Sequence, residues 1–118
     1  MLNNLLLVFI GGGIGSILRF GTNSFINHYA FSHIGTLVVN VLGSFLFGII
    51  VTIGERKSNY FNLFLLTGLL GGFTTFSTFA SENFQLFKSE YFLTLCIYVL
   101  SSIFIGIGLV LFGFWFSK

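Results

Sequence analysis

The chain contains no aspartate, no proline and a single cysteine, and Asp, Glu, Lys and Arg together make up only 7% of its 118 residues. A soluble domain carries about 25% charged residues. With 55% hydrophobic residues as well, the composition excludes that class and reads as an integral membrane protein. The scarcity of charge also excludes nucleic-acid binding. Arg19, Arg56, Lys57, Lys88 and Lys118 against Glu55, Glu82 and Glu90 leave a formal net charge of only +2 and no basic stripe. The lone Cys96 lies in an apolar run without a partner for an internal disulfide, so it reads as a small hydrophobe. There is no aspartate, Glu82 is the only acid at the edge of a polar span, and both histidines fall in a connection, so no residue set supports covalent catalysis. An enzyme is not expected. His28 and His33 have no third ligand nearby and do not predict a metal site.

What is present is apolar length. A hydrocarbon core of about 30 Å needs about 20 apolar residues per helix. The chain therefore divides into four spans, at approximately 2–26, 35–54, 60–87 and 91–116, which form a single transmembrane domain over residues 1–118. Asn27–Ile34, Glu55–Asn59 and Lys88–Glu90 are the connections. The apolar N-terminus lacks a basic n-region and a small-residue cleavage site, so the first span is expected to remain in the mature protein. Four spans put both termini on one side. Arg56, Lys57 and Lys118 lie on that side and Arg19 and Lys88 on the other, a weak positive-inside bias that permits insertion in either orientation.

Polar residues inside these spans fall in patterns. Gly68 to Phe79 holds three glycines, three threonines, a serine and three phenylalanines in twelve positions, which loosens the backbone where hydroxyls and rings concentrate. Irregular backbone within a membrane is tolerated only where protein or a water-filled cavity satisfies it, so this stretch is the candidate working site. Thr36, Asn40 and Ser44, four apart, share one face of span two with Gly43. Thr94, Tyr98, Ser101 and Ser102 place hydroxyls on one side of span four. Gly11 and Gly15 in span one suit close helix packing. A phosphate loop there fails for want of a preceding strand.

These groups offer hydrogen-bond donors without fixed acids: the Asn40 amide, the hydroxyls of Thr36, Ser77, Thr78, Tyr98 and Ser102, and Arg19. Such a lining suits an anion. Phe76 and Phe79, three apart, can add the positive edges of their rings. The glycine-rich break also exposes carbonyl oxygens, which are hard ligands for a cation such as Na⁺.

Three blocks then stand together: Gly11-Gly12-Gly13-Ile14-Gly15-Ser16-Ile17-Leu18-Arg19-Phe20, Gly35-Thr36-Leu37-Val38-Val39-Asn40-Val41-Leu42-Gly43-Ser44-Phe45, and Gly71-Gly72-Phe73-Thr74-Thr75-Phe76-Ser77-Thr78-Phe79. In this order they resemble the Fluc/CrcB fluoride channels over nearly the whole chain. The resemblance implies an all-α membrane protein of the plasma membrane, with four transmembrane helices per subunit, the third broken, in an antiparallel dual-topology dimer. It further implies two narrow fluoride pores and a central structural Na⁺ held by the backbone carbonyls of Gly71 and Thr74. Phe76 and Phe79 would be the pore rings and Asn40 a donor beside them. Ser77, Thr78, Thr36, Tyr98 and Ser102 would complete the lining, with Arg19 in a vestibule and Glu82 near a pore end. Gly106, one turn beyond Ser102, departs from the expected hydroxyl row.

The partners implied are fluoride, membrane lipid and a second subunit, with no nucleic acid. The chain keeps the break, both rings and Asn40, so a homodimer is the simpler reading and a heterodimer with a paralogue the alternative. A passive fluoride channel that relieves toxicity by releasing cytoplasmic fluoride is the expected function. A small four-helix proton-coupled multidrug exporter is the rival, but it would need a carboxylate in span one, where Leu2 to Ile26 has none. A structural assembly subunit without transport is the third reading.

Overall fold

A computed structural model describes the backbone of residues 1–118 and every side chain except that of Ser32. Helix α1 (Leu2–Asn27) is followed by α2 (Ser32–Gly54). The third membrane segment is composite: α3 (Asn59–Asn62), a π-helical stretch (Leu63–Leu70), α4 (Gly71–Phe73) and α5 (Ser77–Lys88). Helix α6 (Phe92–Ser117) closes the chain. There is no strand among the described residues. Leu2–Asn27, His33–Gly54, Asn59–Lys88 and Phe92–Ser117 are each long and apolar enough to cross a membrane, so the all-α, four-span reading stands.

The boundaries differ most at α2, which begins at Ser32 rather than Gly35. The connection after α1 shrinks accordingly, and His33 lies in a helical first turn, not in a loop. Hydropathy locates the start of the apolar run, whereas helical hydrogen bonding needs no apolar side chains and continues a turn beyond it. Phe31 sets this start with an extended backbone (φ −69°, ψ 154°). Helix α5 stops by a different device. Glu90 takes a left-handed conformation (φ 65°), Tyr91 N–H bonds to Leu86 O at 2.9 Å and Glu90 N–H to Phe87 O at 3.1 Å. That pair of bonds is a Schellman cap. At the opposite end Asn62 Nδ2 donates to Gly54 O at 3.2 Å and ties α3 to the end of α2.

Two glycine seams bring the helices together. On one, α1 packs against the third segment so closely that a β-carbon at Gly15 would overlap Leu69 O and the Phe73 amide, and one at Gly11 would overlap Phe64 O. On the other, Gly48 of α2 lies against Gly113 of α6. In lipid there is little hydrophobic drive between helices, so such backbone contact supplies the packing. The π-helical stretch supplies Phe64, Gly68 and Leu69 to the first seam.

The molecule has little interior of its own. Among large apolar residues only Val39, Leu70, Phe73 and Tyr98 are buried, while Phe9, Ile17, Phe20, Leu93, Phe104 and Trp115 are each more than 70% exposed. An outer surface of this kind is stable against hydrocarbon and not against water. Along α1, Gly13 faces open space, in contrast to Gly15. Gly15→Ala should therefore cost about 1–3 kcal/mol by overpacking, read as a lower unfolding midpoint in detergent, whereas Gly13→Ala should leave the midpoint unchanged or raise it. Equal effects of the two would refute the seam.

Candidate functional site

Helical geometry ends at Phe73 and resumes at Ser77, with Thr74 extended (φ −86°, ψ 158°) and Phe76 back in the helical region. Neither proline nor a left-handed residue makes this turn. Hydrogen bonds from a neighbouring helix hold it instead. Asn40, on α2, grips the Thr75 peptide from both ends: Thr75 N–H donates to Asn40 Oδ1 at 2.9 Å, and Asn40 Nδ2 donates to Thr75 O at 3.0 Å. Thr75 Oγ1 then accepts from Thr78 N–H at 3.3 Å, which starts α5. In an unbroken α-helix the amides of Thr75 and Thr78 would bond to the carbonyls four residues earlier, those of Gly71 and Thr74. Diverting both amides leaves these two carbonyls without their helical donors. Thr74 itself remains anchored, its N–H and Oγ1 donating to Leu70 O at 3.0 and 2.9 Å, while its methyl fills the space left by Gly43.

A groove of about 450 Å³, open on one side, runs past this turn and is lined by Asn40, Ser44, Gly71, Thr74, Thr75 and Phe76 among others. Phe76 is 78% exposed. Its ring centroid lies 5.8 Å from that of Phe79, with 41° between planes. Phe79 in turn lies 5.0 Å from the Tyr98 ring. The two phenylalanines thus connect the open groove to a second, buried cluster.

That cluster centres on Glu82, only 7% exposed. Thr36 Oγ1 donates to Glu82 Oε1 at 2.5 Å and Tyr98 OH to Glu82 Oε2 at 3.2 Å. Both hydroxyls sit in the membrane-spanning body and donate to the two oxygens of one carboxyl group of the protein itself. His33, one turn before Thr36, packs its ring 5.3 Å from Tyr98 and extends the cluster toward the start of α2.

The remaining predicted residues divide. Ser102 presents a buried hydroxyl without a hydrogen-bond partner, one turn along α6 from Tyr98. Ser77 is exposed, with Oγ 3.5 Å from Thr75 Oγ1, and Thr78 is half-buried behind it. Arg19 is half-exposed on α1 and takes no part in either cluster's hydrogen bonds. Where Gly106 interrupts the hydroxyl row of α6, Ser44 Oγ lies 3.6 Å from the position a β-carbon would occupy. Helix α2 thus lays Ser44 beside the interruption, with its hydroxyl donating back to Asn40 O at 2.8 Å. Among the described residues no cluster of His, Cys, Asp or Glu could hold a metal ion.

Comparison with known proteins fits this arrangement into a group. The family described as CrcB-like protein, Camphor Resistance (CrcB), matches residues 6–114. The chain belongs to the CrcB family. A relative from Azobacteroides pseudotrichonymphae, named fluoride-specific ion channel FluC, is 45% identical over 120 aligned positions that cover 97% of this chain and 95% of the relative. Relatives of the same name from Campylobacter jejuni and Oceanobacillus iheyensis are 42% and 40% identical, covering 97% and 95% of this chain and 97% and 89% of themselves. As a CrcB protein with four spans, the chain is a multi-pass protein of the plasma membrane.

Within this CrcB chain, sequence reasoning missed Thr75 and His33 as members of the two clusters. A signal for Thr75 was present: a threonine three residues before the Thr78 amide, at a helix start, is a capping pattern. His33 was hidden by the misplaced start of α2. Removing the Asn40 grip should expose its weight. Asn40→Leu would leave the amide and carbonyl of Thr75 unpaired at a cost of about 1–3 kcal/mol each. A clear fall in the unfolding midpoint in detergent is expected, and an unchanged midpoint would show that the turn is held by something else.

Proposed function

We propose that this CrcB chain is a fluoride-selective channel through which fluoride leaves the cytoplasm passively, relieving its toxicity. The observation that carries this reading is the end-to-end match to relatives named as fluoride-specific channels. The chemistry of the site supports it. Hydroxyls, an amide and ring edges are neutral donors that can replace part of the hydration of a small anion, and a narrow path favours the smaller halide. Asn40, Phe76 and Phe79 form the pore constriction, with Ser77, Thr78, Thr36, Tyr98 and Ser102 along the polar lining. Arg19 belongs to a vestibule. Glu82 sits near a pore end, where its carboxylate holds two of the donors until fluoride exchanges with it.

The working unit is an antiparallel, dual-topology dimer, formed by two copies or with a paralogue, and the third helix is functionally broken at Thr74–Phe76. The exposure of Phe76 beside an open groove supports a subunit that is completed by another. The site also fits a structural Na⁺. Gly71 and Thr74 line the groove, and their carbonyls are the two whose helical donors have been diverted, to Asn40 Oδ1 and Thr75 Oγ1. These are hard oxygens of the kind a sodium ion takes. When bound, the ion would supply positive charge to which the Gly71 and Thr74 carbonyl dipoles could orient. The chain's own contribution is to hold those oxygens in place through Asn40 and Thr75. A proton-coupled exporter is disfavoured because α1 carries no acid.

The protein expressed alone and reconstituted in liposomes should discharge fluoride. Phe76→Ile and Asn40→Asp should each reduce efflux to that of protein-free liposomes while the dimer still forms. Thr74→Ala keeps its carbonyl and should retain the sodium requirement of the parent. Unchanged efflux in both pore variants would overturn the assigned pore. Loss of conduction in Thr74→Ala with normal conduction in Phe76→Ile would mean that the two halves of the turn have been assigned the wrong way round.

A further inference from the structure

The cations on one side of the molecule do not scatter. Arg56, Lys57 and Lys118 line a single cavity of about 590 Å³, together with Glu55, Ile53 and Phe114. It lies between the carboxyl ends of α2 and α6, where the spans leave the apolar layer. Lys118 Nζ sits 5.4 Å from the centroid of the Phe114 ring. The two hydroxyls of the cavity are turned back to their own helices, Thr52 Oγ1 to Gly48 O at 3.1 Å and Ser117 Oγ to Gly113 O at 2.9 Å. The cations are therefore the side chains that supply donors to the cavity, three basic side chains beside the single acidic side chain of Glu55.

Cations near helix carboxyl ends also complement the negative pole of the helix. That role requires neither a shared cavity nor an apolar wall beside it. Here a basic pocket is flanked by Ile53 and Phe114 at the ends of two membrane spans, the arrangement that receives an anionic lipid headgroup with its glycerol and acyl portion alongside. Arg56 adds a planar fork suited to phosphate oxygens.

We propose that this cavity is a phosphate-binding site, filled in the membrane by the headgroup of an anionic phospholipid. It does not rest on the fluoride reading, since no residue of the pore or the Thr75 turn lines it. The test is the unfolding midpoint of the full chain in detergent micelles containing phosphatidylglycerol, phosphatidylcholine or inorganic phosphate. Phosphatidylglycerol should raise the midpoint more than phosphatidylcholine. Arg56→Gln combined with Lys57→Gln should weaken the apparent affinity for phosphatidylglycerol by about tenfold or more, whereas Lys88→Gln, on the opposite side, should leave it unchanged. An equal, cation-dependent shift with inorganic phosphate would support the site and assign it to free phosphate. Equal shifts by the two lipids would overturn the proposal. So would retention of phosphatidylglycerol affinity in the double variant, or an equal loss in Lys88→Gln.

Discussion

A peptide group that leaves its helix inside a membrane has no water to turn to, and the Thr75 peptide meets that constraint by pairing both its N–H and its C=O with the amide of Asn40. Much of the local architecture follows from this exchange. The chain can turn out of helical geometry at Thr74, restart on the Thr75 hydroxyl, and carry Phe76 to the edge of an open groove. A second hydrogen bond fixes the direction in which α5 departs. Thr36, one turn from Asn40 on the same face of α2, reaches Glu82 in the second turn of α5. One stripe of α2 therefore holds the third segment at two points, one by the backbone and one by a side chain.

Those hydrogen bonds work only if the backbones are near enough for short side chains to span the gap. The glycine seams provide that nearness. Against α1, the composite third segment rests on Gly11 and Gly15, and α2 meets α6 through Gly48 and Gly113. A membrane offers such pairs no hydrophobic advantage over lipid tails, so the packing depends on intimate contact. The same logic explains a chain whose described residues place four large apolar side chains in the interior and many on the outside. The apolar residues face the solvent they were chosen for, and the interior is left to glycines, hydroxyls and amides.

This division decides what the sequence alone discloses. The four spans are legible because apolar length is a one-dimensional property. The glycine seams are nearly so, since small residues in lipid have few other uses. The turn at Thr74–Phe76 announces itself through its glycines and threonines, yet the glycines are not what makes it: Gly71 and Gly72 are helical, and the extended residue is Thr74. The agent is Asn40, 35 residues away, and no local pattern names that partner. Glu82 illustrates the same limit. Its position at the edge of a polar span does not name its partners, and it is the contacts with Thr36 and Tyr98 on two other helices that bury it. The gap at Gly106 likewise looks isolated along α6 until α2 is set beside it, with Ser44 Oγ within van der Waals reach of the vacant β-carbon position.

The scarcity of charge then acquires a mechanistic sense. A pathway lined by fixed cations would hold an anion tightly, and conduction requires binding strong enough for entry and weak enough for exit. In the proposed channel, neutral donors spread along α2, α5 and α6 would satisfy both needs. The one embedded acid does not defeat this proposal, because Glu82 is already engaged by two hydroxyls. Arg56, Lys57 and Lys118 are kept at the ends of the spans, where the lipid contact proposed for them would add no deep well to the proposed path. A passive channel needs this separation: charge at the rim to place the protein in its membrane, and uncharged polarity inside to let the ion go.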